Sequence, residues 1–247
     1  MGSLFATPGA ARGLAAVASM VLLALGPESG AQDATARRDI LGTEQKLYSL
    51  GKEELIIRDF FQDRRDGFFL DVGCAWPIRE NNTYYLEKHL GWSGIAVDAL
   101  PEYARAWRKR KGSKFVNYLV TDHSDTVEPF YRGEKTDISS IHPENAKADV
   151  KFEEIRVPTI TLTKLLERNG VARIDFLSMD IESAEPLALA GFDIERFKPE
   201  LVCIEAKPLN REKILAYFAA HHYQRIERYL EHDEVNYYFT PRATSDH

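Results

Sequence analysis

Short apolar runs recur along the chain, separated by stretches whose apolar residues repeat with helical spacing. FFLDVGC (68–74) and SGIAVDA (93–99) are the first two such runs, and KFVNYLVT (114–121) is the third. IDFLSMD (174–180) and LVCIEA (201–206) follow later. Runs this short, apolar throughout and bounded by turn residues, predict strands buried on both faces. Between them, helices are predicted over 82–90, 101–111, 161–170, 184–192 and 210–222. YQRIERY (223–229) and VNYYFTP (235–241) alternate like strands with no helical stretch between them, and predict a closing hairpin. Strand–helix alternation implies an α/β fold with a doubly wound, mostly parallel sheet and right-handed crossovers. The closing hairpin adds antiparallel pairing at its end.

Two regions are less regular. Residues 39–65 carry an approximate helical stripe, Leu47, Leu50, Leu55, Ile56, Phe60 and Phe61, interrupted by Gly51. Residues 122–158 hold two short strand-like pieces, VEPFY and FEEIRVP, around the irregular TDISSIHPENAKAD. Ahead of all this, Arg12 precedes an apolar run from Leu14 to Leu25, then GPESGAQDA with small residues at Ser29 and Ala31. That pattern reads as a secretory leader over 1–31, cleaved after Ala31, and the run is short for a spanning helix. Its competitors are a short membrane anchor or a misassigned start. The mature chain is expected to contain no transmembrane helix. It is exported to the periplasm or medium if the leader is cleaved, and membrane-anchored or cytoplasmic otherwise. The organisation is thus leader 1–31, linker and helical lead-in 32–66, and one α/β domain over 67–247.

The 247 residues carry 38 acidic and 32 basic side chains, a net charge of −6. This balance disfavours a nucleic-acid partner held by phosphate contacts. The one basic cluster, RKRKGSK (108–114), reads as a solvated helix end. Cys74 and Cys203 are the only cysteines, which excludes a disulfide framework and a cysteine-rich zinc site. They are expected as free thiols on non-neighbouring strands, and no metal is expected.

Ligands of open α/β sheets bind beyond the carboxyl ends of the strands. Those ends are acidic here: Asp71-Val72-Gly73-Cys74, Asp98, Thr121-Asp122, Asp180-Ile181-Glu182 and Glu205. A cationic, hydroxyl-rich ligand suits such an edge. Gly73 leaves room for close approach of a cofactor, and Asp98 ends the second strand, where a carboxylate accepts from ribose hydroxyls. Taken singly, each also reads as an ordinary turn glycine or helix cap. A dinucleotide fingerprint is absent, since Ala75 and Ile78 stand where its later glycines belong and Pro77 lies between them. Asn81-Asn82-Thr83 is a formal glycosylation sequon, read here as structural.

Several blocks together resemble the FkbM-type methyltransferases over roughly residues 45–240. GFFLDVGC is similar to the family's first cofactor motif, and NNTYYLEKHLGWSGIAVDALPE (81–102) to the segment leading into its ribose carboxylate. VPTITLTKLL followed by IDFLSMDIESAEPLALAGF resembles the Asp-x-Glu-Gly-x-Glu signature, and LVCIEAKP completes the set. The resemblance implies a class I, Rossmann-like methyltransferase fold using S-adenosyl-L-methionine. It places Asp71 and Gly73 by the methionine part and Asp98 on the ribose, with Asp122 a weaker candidate on the adenine side and Cys74 a further cofactor-binding candidate. The sequence departs from the pattern twice: only Gly73 remains of the usual glycine loop, and Ser183 stands for the signature glycine.

Asp180, ending a buried strand beside the cofactor positions, is the first candidate for the base that deprotonates an acceptor. Glu182 is second and His142, in the irregular segment, third. The implied activity is O-methylation of a sugar or other small hydroxylated acceptor. The alternative is an exported binding module that keeps the fold without catalysis.

Overall fold

The computed structural model describes residues 37–134, 139–145 and 150–243. The expected leader over 1–31, the start of the linker and part of the irregular 136–149 stretch lie outside the described residues. Arg37 onward forms one compact unit. Among the described residues, no helix is long and apolar enough to cross a membrane.

The lead-in is not one helix. It contains α1 (Ile40–Thr43) and α2 (Glu53–Phe61), parted by an irregular turn through Gly51. Glu54, buried inside α2, accepts from the Leu47 and Tyr48 backbone N–H groups and so folds the turn back. Leu47 and Leu50, expected in the apolar stripe, are 59% and 72% exposed. Leu55, Ile56 and Phe61 are buried as expected.

The main sheet then assembles β1 (Phe68–Val72), β2 (Ser93–Asp98), β3 (Ser113–Asn117), β7 (Phe176–Met179), β8 (Leu201–Glu205), β9 (Tyr223–Arg225) and β10 (Asn236–Pro241). Their order is β3-β2-β1-β7-β8-β10-β9. The first five are parallel, while β10 runs antiparallel to both β8 and β9, the expected closing hairpin. Its two strands are joined through a 3-10 turn, Glu227–Tyr229. Helices α3 (Tyr84–Leu90), α4 (Tyr103–Trp107), α5 (Leu162–Arg168), α6 (Glu185–Ala190), α7 (Ile194–Phe197) and α8 (Arg211–Ala220) fill the crossovers. Strand alternation sorts the core by face. Leu70, Val72, Leu177 and Met179 pack with Leu162, Leu165, Ile214 and Phe218 on one side. Phe69, Phe176, Leu201 and Cys203 pack with Ile56, Phe61, Leu86 and Trp92 on the other.

The third expected strand, 114–121, divides. The Tyr118 N–H donates to the Asp98 carbonyl at 3.1 Å, the last bond of the β2–β3 ladder. The chain re-forms as β4 (Leu119–Val120) in a second sheet, ordered β4-β6-β5. There VEPFY and FEEIRVP become β5 (Val127–Gly133) and β6 (Phe152–Ile160), paired antiparallel. The helix expected over 101–111 is confined to α4.

Sheet order reverses at β1, whose neighbours β2 and β7 are reached by connections leaving in opposite directions. That topological switch point is where an open α/β sheet presents its ligand crevice.

Candidate active site

A cavity of about 990 Å3 opens at the carboxyl ends of β1, β2, β7 and β8. It lies at the upper end of the range of about 300–1,000 Å3 for ligand pockets. Asp71, Gly73, Cys74, Asp98, Asp180 and Glu182 all line it. Asp122 and His142 do not. Asp122 lies half-exposed with the His123 ring nitrogen 2.7 Å away, and the His142 ring faces Glu144 at 3.0 Å.

At the β1 end, Asp71 is 5% exposed and accepts at Oδ2 from Thr83 Oγ1 (2.8 Å) and Asn81 Nδ2 (3.2 Å). Burial raises its carboxyl above the ordinary range, opposed by Thr83, by the Arg110 charge and by Asn81. Gly73 follows with φ +76°, its N–H donating to the Val97 carbonyl at 2.9 Å. The reason for glycine differs from the sequence-based one. A Cβ there would sit 1.8 Å from the Asp180 carbonyl oxygen, so the residue lets the ends of β1 and β7 close together. Cys74 is buried, and burial pushes its thiol far up, leaving it a poor nucleophile.

Asp98 accepts the Leu100 N–H at Oδ1 (2.8 Å) and the Ala75 N–H at Oδ2 (3.0 Å). Burial raises it to about 6, those two N–H groups pull it back, and Asp71 and Glu102 add to the rise. It therefore braces the loop after β1 and also faces the cavity.

The β7 end is more acidic. Asp180 is open to the cavity yet closely surrounded by protein. Desolvation lifts its carboxyl well above the ordinary range, and the neighbouring charges of Glu205 and Glu182 lift it further, against Lys207. Lys207 forms ion pairs with Glu182 and, at 2.9 Å, with Glu205. Behind them, fully buried Glu185 accepts the Ile181 N–H (3.0 Å) and the Ser183 N–H (3.3 Å) at Oε1, and the Asn210 amide at Oε2. Burial raises Glu185 to about 7. These bonds fix a turn in which Glu182 and Ser183 take φ of +55° and +77°. Ser183 thus keeps the left-handed backbone that a signature glycine favours, so the substitution leaves the turn in place.

Sequence reasoning missed Lys207, Glu185, Asn81 and Arg110. Lys207 and Glu185 stood inside blocks already singled out, but nothing in their spacing indicated burial or pairing. Asn81 was marked only as a sequon, and Arg110 only as part of a solvated cluster. Asp180, Glu185 and Glu205 bring carboxylate oxygens within 4.8 Å of one another, a hard-oxygen set in kind. The Lys207 ammonium already supplies positive charge to Glu205 and Glu182.

The Asp71 and Asp98 carboxylates line the cavity, with Leu100, Leu119 and Phe130 giving it an apolar flank. Among known proteins, the family model described as the methyltransferase FkbM domain matches residues 65–238. Solved structures similar to this chain include precorrin-6y C5,15-methyltransferase from Geobacter metallireducens GS-15, with TM-score 0.41 and 11% identity over 77% of each chain. A Methanococcus jannaschii fibrillarin pre-rRNA processing protein is also similar, with TM-score 0.41 and 11% identity over 72% of this chain and 66% of that one. No curated protein matches.

Proposed function

The chain belongs to the FkbM methyltransferase domain family on a class I, Rossmann-like fold, and on that premise we propose that it methylates a hydroxyl of a sugar or other small hydroxylated acceptor using S-adenosyl-L-methionine. One observation carries the reading. One cavity is lined by the Asp71 and Asp98 carboxylates at the β1 and β2 ends and by Asp180, a carboxylate of raised proton affinity, at the β7 end.

Asp98 holds the ribose hydroxyls and Asp71 the ammonium of the methionine part, while Gly73 and Cys74 border them. Bound there, the cofactor supplies an electrophilic methyl on a sulfonium that leaves as a neutral thioether. The protein's task is then alignment and proton removal. Asp180 receives the acceptor hydroxyl's proton as the oxygen forms its bond to carbon. Burial and the Glu205 and Glu182 charges raise Asp180 to about 8, so its ionised fraction, which grows as pH rises, is the form that takes the proton. Glu182 and Lys207 fix the charge around Asp180. The acceptor then occupies the β7–β8 side of the cavity, between Asp180 and the 232–236 segment.

The test separates binding from chemistry. Asp180→Asn should bind S-adenosylhomocysteine within a fewfold of wild type yet transfer labelled methyl to a panel of sugars and glycosides at least about 100-fold more slowly. Equal transfer by the variant would remove Asp180 from the chemistry. No transfer by wild type to any hydroxylated acceptor would overturn the acceptor class.

A further inference from the structure

The basic run 108–114 has no part in the chemistry above, and most of it is solvated: Arg108, Lys109, Lys111 and Lys114 are exposed. Arg110 is the exception, at 4% exposure. Its Nε donates to Glu87 Oε2 at 2.7 Å. Every other hydrogen bond of its guanidinium goes to the segment between Pro77 and Thr83. Nη1 donates to the Pro77 carbonyl (3.3 Å), Asn81 Oδ1 (3.0 Å) and Thr83 Oγ1 (3.0 Å), and Nη2 donates to the Thr83 carbonyl (3.2 Å). One turn earlier, the Trp107 indole N–H donates to the Ala75 carbonyl at 2.8 Å, with its ring centroid 4.6 Å from the guanidinium.

This segment stands where a glycine-rich loop would wrap a cofactor, but no glycine occurs between Gly73 and Gly91. Ala75 and Glu80 nevertheless adopt φ of +41° and +52°. Non-glycine residues hold such angles only where their surroundings over-determine them. Asn81 and Thr83, the two side chains that bond Asp71, are the two that Arg110 also bonds. Burying a guanidinium is unfavourable unless its donors are satisfied, and the planar five-donor fork reaches all these acceptors at once, as an ammonium does not.

We propose that Arg110 is a positioning residue for the cofactor: it replaces the glycine loop's geometry by clamping residues 77–83, and through Asn81 and Thr83 it sets the Asp71 carboxylate that receives the cofactor's ammonium. This rests on the S-adenosylmethionine reading. Besides Arg110, the titratable groups around Asp71 are the Cys74 thiol, Asp98 on β2 and Asp180 at the end of β7.

The experiment titrates S-adenosylhomocysteine into the full chain from pH 5 to 8. Arg110→Lys keeps the charge but loses the fork, and should weaken affinity about tenfold at every pH without moving the profile. Arg110→Gln also removes a positive charge that favours the Asp71 carboxylate. Asp71 then protonates at higher pH, and the loss of affinity on acidification should begin at least about one unit higher than in wild type. Glu87→Gln removes the ion-pair partner and leaves the loop bonds, so it should lower the stability of the protein while the affinity of the folded variant stays within about twofold. Thr83→Val, which removes the hydroxyl that accepts from Arg110 and donates to Asp71, should weaken the binding of the folded variant severalfold. Wild-type affinity in Arg110→Lys or Thr83→Val, equal losses in Arg110→Lys and Glu87→Gln, or an unmoved profile in Arg110→Gln would overturn the proposal. Absence of binding by wild type would instead overturn the cofactor reading beneath it.

Discussion

Replacing Gly73 with alanine should damage both stability and the site, because that glycine joins the two halves of the sheet at their functional ends. Its φ of +76° costs an alanine about 1–2 kcal/mol. The added methyl would meet the Asp180 carbonyl oxygen at 1.8 Å and Ile181 Cγ2 at 2.9 Å, so the strand ends must separate by more than an ångström. That separation strains the bond from the Asp180 N–H to the Val72 carbonyl, now 3.0 Å. Overpacking and a weakened hydrogen bond bring the expected total to about 3–5 kcal/mol. For a domain of this size the melting temperature should fall by about 10 °C. Equilibrium urea unfolding of wild type and Gly73→Ala measures the difference directly. A loss below about 1 kcal/mol would show that β1 and β7 do not meet as described. Because the same movement parts Asp180 from Asp71 and Asp98, S-adenosylhomocysteine affinity should fall by at least about tenfold in the variant that still folds.

Ser183→Gly should stabilise the protein by about 0.5–1 kcal/mol, since relief of the left-handed backbone outweighs the added freedom of the unfolded chain; urea unfolding showing destabilisation would refute this. Asp98 and Glu185, raised to about 6 and about 7, hold protons that the unfolded chain has released between roughly pH 4 and 7. Stability of the ligand-free protein should therefore fall as pH rises through that window, and the melting temperature at pH 5.5 should exceed that at 7.5. A lower value at pH 5.5 would contradict carboxylates whose burial outweighs their hydrogen bonds. Cys74 and Cys203 are free and buried, so a thiol reagent should label neither in the native protein and both after denaturation without reductant. Labelling of the native protein would contradict their burial.

The main sheet was legible because its strands are apolar on both faces, and Leu70, Phe69, Leu177 and Phe176 fill the two cores as such runs require. The lead-in was not, because the helical spacing of Leu47 and Leu50 is overridden by Glu54, which captures backbone N–H groups across the turn. Likewise nothing local in 114–121 signals that pairing with β2 stops after Asn117 and that Leu119 and Val120 pair with β6 instead. Asp71, Asp98 and Asp180 were legible as site candidates from their place at strand ends. Asp122 had the same kind of position in sequence, but the strand before it, β4, belongs to the second sheet, and Asp122 does not line the cavity. Arg110 shows the limit of reading charge by cluster: four basic neighbours are solvated, and the fifth is buried by acceptors from 77–83 that only the folded chain brings to it.

The most direct test of the account is calorimetric titration of S-adenosyl-L-methionine into the full chain, with Asp98→Ala beside it. The account predicts one site per chain of roughly micromolar affinity, weakened by about 1.5–3 kcal/mol or more when the carboxylate facing the ribose is removed. A folded wild-type protein that takes up no S-adenosyl-L-methionine, or an Asp98→Ala variant that binds it equally well, would contradict it.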